Sequence, residues 1–195
     1  MRRLHLRIAL LVGVTLFAGL LAARLHGTPA VEVTQAIGAR TDSVALRAST
    51  EALARMTPCP VTEIVDGDTI RCGELGRVRL LLIDTPERDQ EPWGARSRSA
   101  LQALLEVGTE ARLEMDVQPR DQYGRLLAYV YRSDGLQVNE MMIRNGYAVV
   151  VVYPPNVRHV DPLRAAATAA QEARRGLWST DAFDCIPRDH RAGRC

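Results

Sequence analysis

The chain of 195 residues contains no lysine; all 25 of its basic residues are arginine. Nor does it carry a surplus of positive charge on the part expected to fold. Arg2, Arg3, Arg7 and Arg24 all precede the first acid, Glu32, and beyond residue 30 there are 21 arginines against 23 acids. Bulk charge therefore gives no ground for a generic nucleic-acid binder, whose footprint is a strongly basic surface. Cys-x-x-Cys and closely spaced histidine pairs are absent too, so zinc-ligand spacing is missing. There is no internal repeat and no low-complexity tract. What remains is one domain with a buried core, since 195 residues at 47% hydrophobic composition suffice for one and are short for two.

Residues 1–30 read as a signal peptide or membrane anchor ahead of the fold. Met1 to Arg7 is a basic start, and Ile8 to Ala23 is an apolar run without a charge. That length lies between a signal core and a spanning helix, which leaves cleavage open. Thr28-Pro29-Ala30 offers small residues to a signal peptidase, whereas Leu21 opposes cleavage after Ala23. An uncleaved segment would keep the arginines inside and tether the chain to the membrane. Either way the expected location is extracytoplasmic.

Cys59, Cys72, Cys185 and Cys195 suit an oxidising compartment, where four cysteines allow three pairings. A hairpin expected between Cys59 and Cys72 favours that bond, with Cys185 to Cys195 closing the tail; counting back from its turn sets Val65 against Ile70. Four free thiols are the alternative.

Residues 31–57 read as a tether. Within it Thr41 to Met56 has the pattern of a short helix, with Thr41, Asp42 or Ser43 as N-cap. From Pro60 onward the pattern turns to strands. Val61 to Val65 and Ile70 to Cys72 flank an Asp-Gly turn, and Val78 to Ile83 completes a three-stranded meander. A helix over Trp93 to Glu106 stops before Gly108, and strands follow at Ala111 to Val117 and Leu126 to Tyr131. Gln137 to Arg144 reads as a short helix and Tyr147 to Tyr153 as extended. Asp161 to Arg175 reads as a last helix, with Asp161 as N-cap, Pro162 in the first turn and Gly176 as the stop. Five strands with a helix between the third and fourth form the pattern of an OB-fold barrel, an α+β and mostly β architecture with about three helices. The domain would span residues 58–180, and residues 181–195 form a cysteine-containing tail.

Four acids and two arginines stand out chemically. Asp66-Gly67-Asp68 alone reads as a hairpin turn, where aspartate is favoured for its bonds to the backbone. Asp84 and Glu87, three residues apart in a turn stiffened by Pro86, end an apolar strand with two carboxylates, which is costly unless they share a ligand. Such hard oxygen donors suit a divalent cation, and a spare carboxylate suits activation of water. Arg79 lies inside the apolar strand Val78 to Ile83, and Arg125 follows Gly124 at a strand start. By position alone each is a surface residue. Strict alternation also puts Arg79 and Asp84 on opposite faces, so a shared site requires the strand to bend before Asp84.

Three motifs in order, Asp66-Gly67-Asp68-Thr69, Arg79-Leu80-Leu81-Leu82-Ile83-Asp84-Thr85-Pro86-Glu87 and Asp121-Gln122-Tyr123-Gly124-Arg125, together with Gly176-Leu177-Trp178-Ser179, resemble the staphylococcal nuclease (thermonuclease) family over roughly Val61 to Ser179. The resemblance implies a barrel of the same OB type and a monomeric nuclease of little sequence specificity acting on DNA or RNA. It also implies Ca2+ held by the carboxylates of Asp68 and Asp84 and by the backbone carbonyl of Thr85. Glu87 would then be the general base or water-orienter, Arg79 and Arg125 would meet the phosphate, Tyr123 and Tyr153 would contact substrate, and Asp66 would stand behind the metal ligands. Hydrolysis at the 5′ oxygen, leaving 3′-phosphate ends, is implied as well. The sequence departs from the family pattern in a short lysine-free loop between Glu87 and Trp93 and in Val151, where an aromatic is expected. Tyr153 reads equally as an interfacial residue covering the core.

Two other readings compete. Ile64-Val65-Asp66-Gly67-Asp68-Thr69 resembles the start of a haloacid-dehalogenase-type phosphatase with Asp66 as nucleophile, but that fold needs parallel strands joined by helices where this chain turns into an antiparallel hairpin. A catalytically inactive OB-fold module binding nucleic acid or protein is the non-enzyme alternative; Asp68, Asp84, Glu87, Arg79 and Arg125 together oppose it.

Overall fold

The computed structural model describes residues 45–195; the expected signal or anchor segment and the first part of the tether lie outside them. Five strands close a barrel in the order β1-β2-β3-β6-β5. They are β1 (Thr57–Ile64), β2 (Thr69–Cys72), β3 (Gly76–Leu80), β5 (Glu110–Arg120) and β6 (Leu126–Tyr131). Antiparallel pairing of β1 with both β2 and β5 closes the ring, and β3 runs parallel to β6. Alternation explains the lining: Cys59, Val61, Ile64, Ile70, Val78, Leu80, Leu113, Ala128 and Val130 are all buried.

Helices cover the barrel. Leu101 of α2 (Trp93–Leu104) is fully buried against it, as are Met142 and Ile143 of α3 (Val138–Arg144) and Leu163 of α4 (Val160–Glu172). Each such side chain contributes about 1.5–3 kcal/mol by leaving water.

The structure corrects several expectations. The expected caps Thr41, Asp42 and Ser43 lie outside the described residues; within these the helix α1 spans Thr50–Arg55 and is capped by Ser49, whose hydroxyl accepts from the Ala52 amide at 3.2 Å. Residues just before Ser49 dock on the domain instead of tethering it: Ala48 N donates to Gly135 O, and Gln137 N donates to Leu46 O. The N-cap position of helix α4 is His159, two residues before Asp161 and without a side-chain cap, and the helix ends at Glu172. Asp161 and Pro162 therefore sit in its first turn. Another helix, α5 (Pro187–Arg191), lies in the tail, where none was expected.

Both disulfides pair as expected, Cys59 with Cys72 and Cys185 with Cys195. The register beneath the first differs from the one counted back from the turn. Ile64, not Val65, faces Ile70, and a bulge between Val61 and Glu63 sets Val61 opposite Cys72.

Two irregularities shape the cleft. Strand β3 stops at Leu80, and Leu82 adopts a left-handed conformation (φ 63°) that turns the chain out of the barrel. Ile83 and Asp84 then form β4, which pairs with β7 (Val149–Val150) in a separate two-stranded sheet. Buried Asn139 holds this exit. Its Nδ2 donates to Leu81 O (2.9 Å) and Ala128 O (3.3 Å), and its Oδ1 accepts from Val130 N (2.8 Å). The second irregularity interrupts the β5–β6 pairing between Met115 and Arg120. Here Asn156 stands in for the missing partner, accepting from Gln118 N at 2.8 Å and donating to Gln118 O at 2.9 Å.

At the start of α4, Glu114 receives Tyr131 Oη (2.7 Å) and Arg158 Nη1 (2.7 Å) and lies 2.9 Å from His159 Nε2. Burial alone would raise its carboxyl, but hydrogen bonds from His159, Arg158 and Tyr131 outweigh that and hold it at about 2. A carboxylate depressed in the folded state stabilises above its unfolded value, and that contribution is lost as pH falls through the folded value.

Glu114→Gln should therefore cost on the order of 1–2 kcal/mol at pH 7, with the difference from wild type shrinking between about pH 4.5 and pH 2; urea unfolding across that range measures it. Asn139→Ala strands Leu81 O and Val130 N inside the protein and should cost about 2–4 kcal/mol, read as a fall in the unfolding midpoint.

Candidate active site

The expected site residues gather in one cleft of about 680 Å³. Asp66, Asp68, Arg79, Asp84, Thr85, Glu87, Tyr123, Arg125 and Tyr153 all line it, and so does Arg191 from the tail.

Asp68 sits at the end of the β1–β2 turn, where Gly67 permits a close approach. A Cβ on Gly67 would lie 2.7 Å from both Thr85 Oγ1 and Ser97 Cβ. The turn is itself fixed by Asp66, whose Oδ1 accepts from Asp68 N at 3.1 Å. Burial first, and the Asp68 charge second, push the Asp66 carboxyl up. Asp68 Oδ2 accepts from Thr85 N (3.1 Å) and Thr85 Oγ1 (3.0 Å), which ties the turn to the segment leaving β4.

The left-handed turn at Leu82 resolves the facing problem. It undoes the alternation between Arg79 and Asp84, so that Arg79 Nη2 reaches Asp68 Oδ2 at 3.0 Å and Asp84 Oδ1 at 3.1 Å. Arg79 Nη1 donates to Leu80 O and Ile83 O, both at 2.8 Å. One guanidinium thus spans the turn and joins two carboxylates that are only 7% and 2% exposed.

Glu87 is held by its backbone. Its amide donates to Gln90 Oε1 (2.9 Å) and its carbonyl accepts from Gln90 N (3.0 Å). Gly94 in the first turn of α2 lets that carbonyl lie against the helix, for a Cβ there would overlap the Glu87 carbonyl oxygen.

Across the cleft, Asp121 organises the β5–β6 turn. Its Oδ1 accepts from the Tyr123 and Arg125 amides, each at 3.0 Å, and its Oδ2 accepts from Arg125 Nε at 2.7 Å. The Arg125 guanidinium lies 5.7 Å from the Tyr123 ring centroid. Tyr123 is 75% exposed and Tyr153 63%, so both rings face solvent at the rim and neither covers the core.

Four residues of this arrangement escaped the sequence reading. Gly94 and Gln90 place Glu87 by backbone contacts, which no motif records. Asp121 was legible as the first residue of its motif but not as the clamp on Arg125. Arg191 gave no signal at all, since it lies 107 residues beyond Asp84 in a short tail helix. It forms a fork on Asp84, with Nη1 to Oδ1 at 3.1 Å and Nη2 to Oδ2 at 2.9 Å, and also contacts Glu87 Oε1. The Asp84 hydrogen bonds, more than those of Glu87, push the Arg191 guanidinium up.

Among the described residues no three Asp, Glu, His or Cys side chains group as a ready metal cage. The residues that would hold a cation here are Asp68, Asp84 and Thr85, all of which line the cleft. The donor set fits a hard ion: Asp68 and Asp84 converge on the same Arg79 nitrogen, and among the described residues neither thiol nor imidazole lines the cleft.

A family model described as staphylococcal nuclease homologue matches residues 77–180. The SPbeta prophage-derived endonuclease YokF of Bacillus subtilis (strain 168) is 38% identical over 129 residues, 61% of this chain and 43% of that protein. Endonuclease YncB of the same organism is 37% identical, also over 129 residues, 61% of this chain and 60% of that protein. The match thus spans less than two thirds of either Bacillus relative. The thermonuclease of Staphylococcus intermedius is 34% identical over 126 residues, 60% of this chain and 74% of that protein. With the family model covering more than half of its length, and with the barrel and cleft built around the three motifs, the chain belongs to the family of staphylococcal nuclease homologues.

Proposed function

We propose that this protein is an exported, calcium-dependent nuclease that hydrolyses phosphodiester bonds of DNA or RNA with little sequence specificity, leaves 3′-phosphate ends and acts as a monomer. The observation that carries the reading is the convergence of two buried carboxylates, Asp68 and Asp84, on Arg79, with Glu87 in the same cleft. The names of the relatives, two endonucleases and a thermonuclease, point the same way.

Asp68, Asp84 and the Thr85 carbonyl would hold calcium, which supplies Lewis-acid polarisation of a phosphate oxygen when bound. The remaining work falls to the chain. Glu87 draws a proton from, or orients, the attacking water, and its fixed backbone keeps the carboxylate in range. Arg79 and Arg125 meet negative charge as it grows on the phosphoryl oxygens; Arg125 keeps its Nη1–Nη2 fork for two oxygens at once, whereas Arg79, whose Nη1 and Nη2 serve the turn and the two aspartates, offers Nε. Because Asp121 holds Nε of Arg125, that fork is oriented before substrate arrives. Tyr123 and Tyr153, on the rim, offer ring faces and hydroxyls to the strand on either side of the scissile bond. Export is supported by the apolar run Ile8 to Ala23 behind three arginines and by the two disulfides.

Digestion of plasmid, single-stranded DNA and RNA with and without calcium tests the activity, and undiminished cleavage in a calcium chelator would remove the metal assignment. Glu87→Gln and Arg125→Ala should each lower kcat by roughly 100-fold or more; wild-type rates in either would return that residue to a surface role. Gly94→Ala touches no substrate, yet it pushes the Glu87 carbonyl off α2 and should lower kcat by roughly 10-fold or more at an unchanged far-ultraviolet spectrum.

A further inference from the structure

The tail beyond the family-matched region returns to the cleft. Phe183 and Ile186 pack with Leu177 and Trp178, Gln90 Nε2 donates to Cys185 O at 3.0 Å, and His190 Nε2 lies 3.0 Å from Asp89 Oδ1. The Cys185–Cys195 disulfide closes a loop around α5, and the last residue of that helix is Arg191. Gln90 thus touches both ends of the arrangement, holding the Glu87 amide with Oε1 and the tail with Nε2.

Arg191 occupies both oxygens of Asp84 and one of Glu87. Asp84 is almost wholly buried, and Arg79 already takes a share of its Oδ1. A divalent cation approaching Asp84 therefore meets a positive charge fixed across the oxygens it needs. The Arg191 side chain is 41% exposed, so it can leave for water without unpacking the core.

We propose that Arg191 is a tethered counter-cation that competes with calcium for Asp84, so that the disulfide-closed tail sets the metal affinity of the site. This rests on the reading of Asp68 and Asp84 as the calcium ligands. A tether of this length keeps the guanidinium at an effective concentration on the order of millimolar, enough to matter against a weakly held ion. Calcium binds only the fraction of molecules from which Arg191 has swung away, and its apparent dissociation constant rises by the inverse of that fraction. Asp84 keeps a positive partner in both states, the Arg191 guanidinium in one and the metal in the other, so it is never buried unpaired.

Isothermal titration of calcium chloride into the full chain, kept in mild detergent at fixed ionic strength, tests this without reference to activity. Arg191→Gln should tighten calcium binding by roughly 10-fold, the factor for a latch seated about nine-tenths of the time. The Cys185→Ser/Cys195→Ser double variant should shift it the same way, because Arg191 is then released from its closed loop. Calcium binding that is equal or weaker in Arg191→Gln than in wild type would overturn the competition and leave the metal reading standing. Absence of calcium binding in wild type and Arg191→Gln alike would overturn both.

Discussion

The site depends on one guanidinium. Arg79 uses Nη1 to close the turn between Leu80 and Ile83 and Nη2 to draw Asp68 and Asp84 together. Without that pairing Asp68 would have no ion-pair partner among the described residues and Asp84 only Arg191, and the turn that carries Asp84 would lose the bonds that define it. Everything downstream inherits this constraint: β4 leaves the barrel because Leu82 turns it out, and β4 fixes where Thr85, Pro86 and Glu87 begin. Paired buried charges stabilise little in net terms, but the loss of one partner leaves the other uncompensated. The arrangement is better understood as specifying a geometry than as strengthening a fold.

Around that centre the cleft is assembled from parts with separate supports. The Asp68 turn rests on Gly67 packed against Ser97, Glu87 rests on α2 through Gly94 and Gln90, and Arg125 rests on Asp121. Each support is a packing contact or a hydrogen bond made within the protein, so none needs substrate to form. Such a site is ordered in advance, which is what electrostatic stabilisation of a growing charge requires.

Most of this was legible in the residues where local chemistry is strong. The five barrel strands, the helix between the third and fourth, both disulfides and the cluster of acids and arginines follow from alternation, turn residues and motif order. The failures share a cause, namely contacts distant in sequence. Asp161 looked like a cap, but Arg158 and His159 are bound to Glu114, and these contacts lie at the place where the helix starts. Residues 45–48 have a helical pattern, but pairing with residues 135–137 draws them out of the helix. The bend before Asp84 could be required but not located, because nothing in a run of leucines marks Leu82 as left-handed. Arg191 was invisible for the same reason, since its partners lie more than a hundred residues away.

The doubled hydrogen bond between Asn156 and Gln118 has a mechanical consequence. It sits at the root of the arm that β5 and β6 extend past their irregularity, while Tyr123 and Arg125 sit at the tip. An arm pinned at two points on one side chain has lost its freedom to twist about its root, and angular play at a root is magnified along the length of a lever. The precision with which the tip is held over the cleft is therefore governed by an amide at its root.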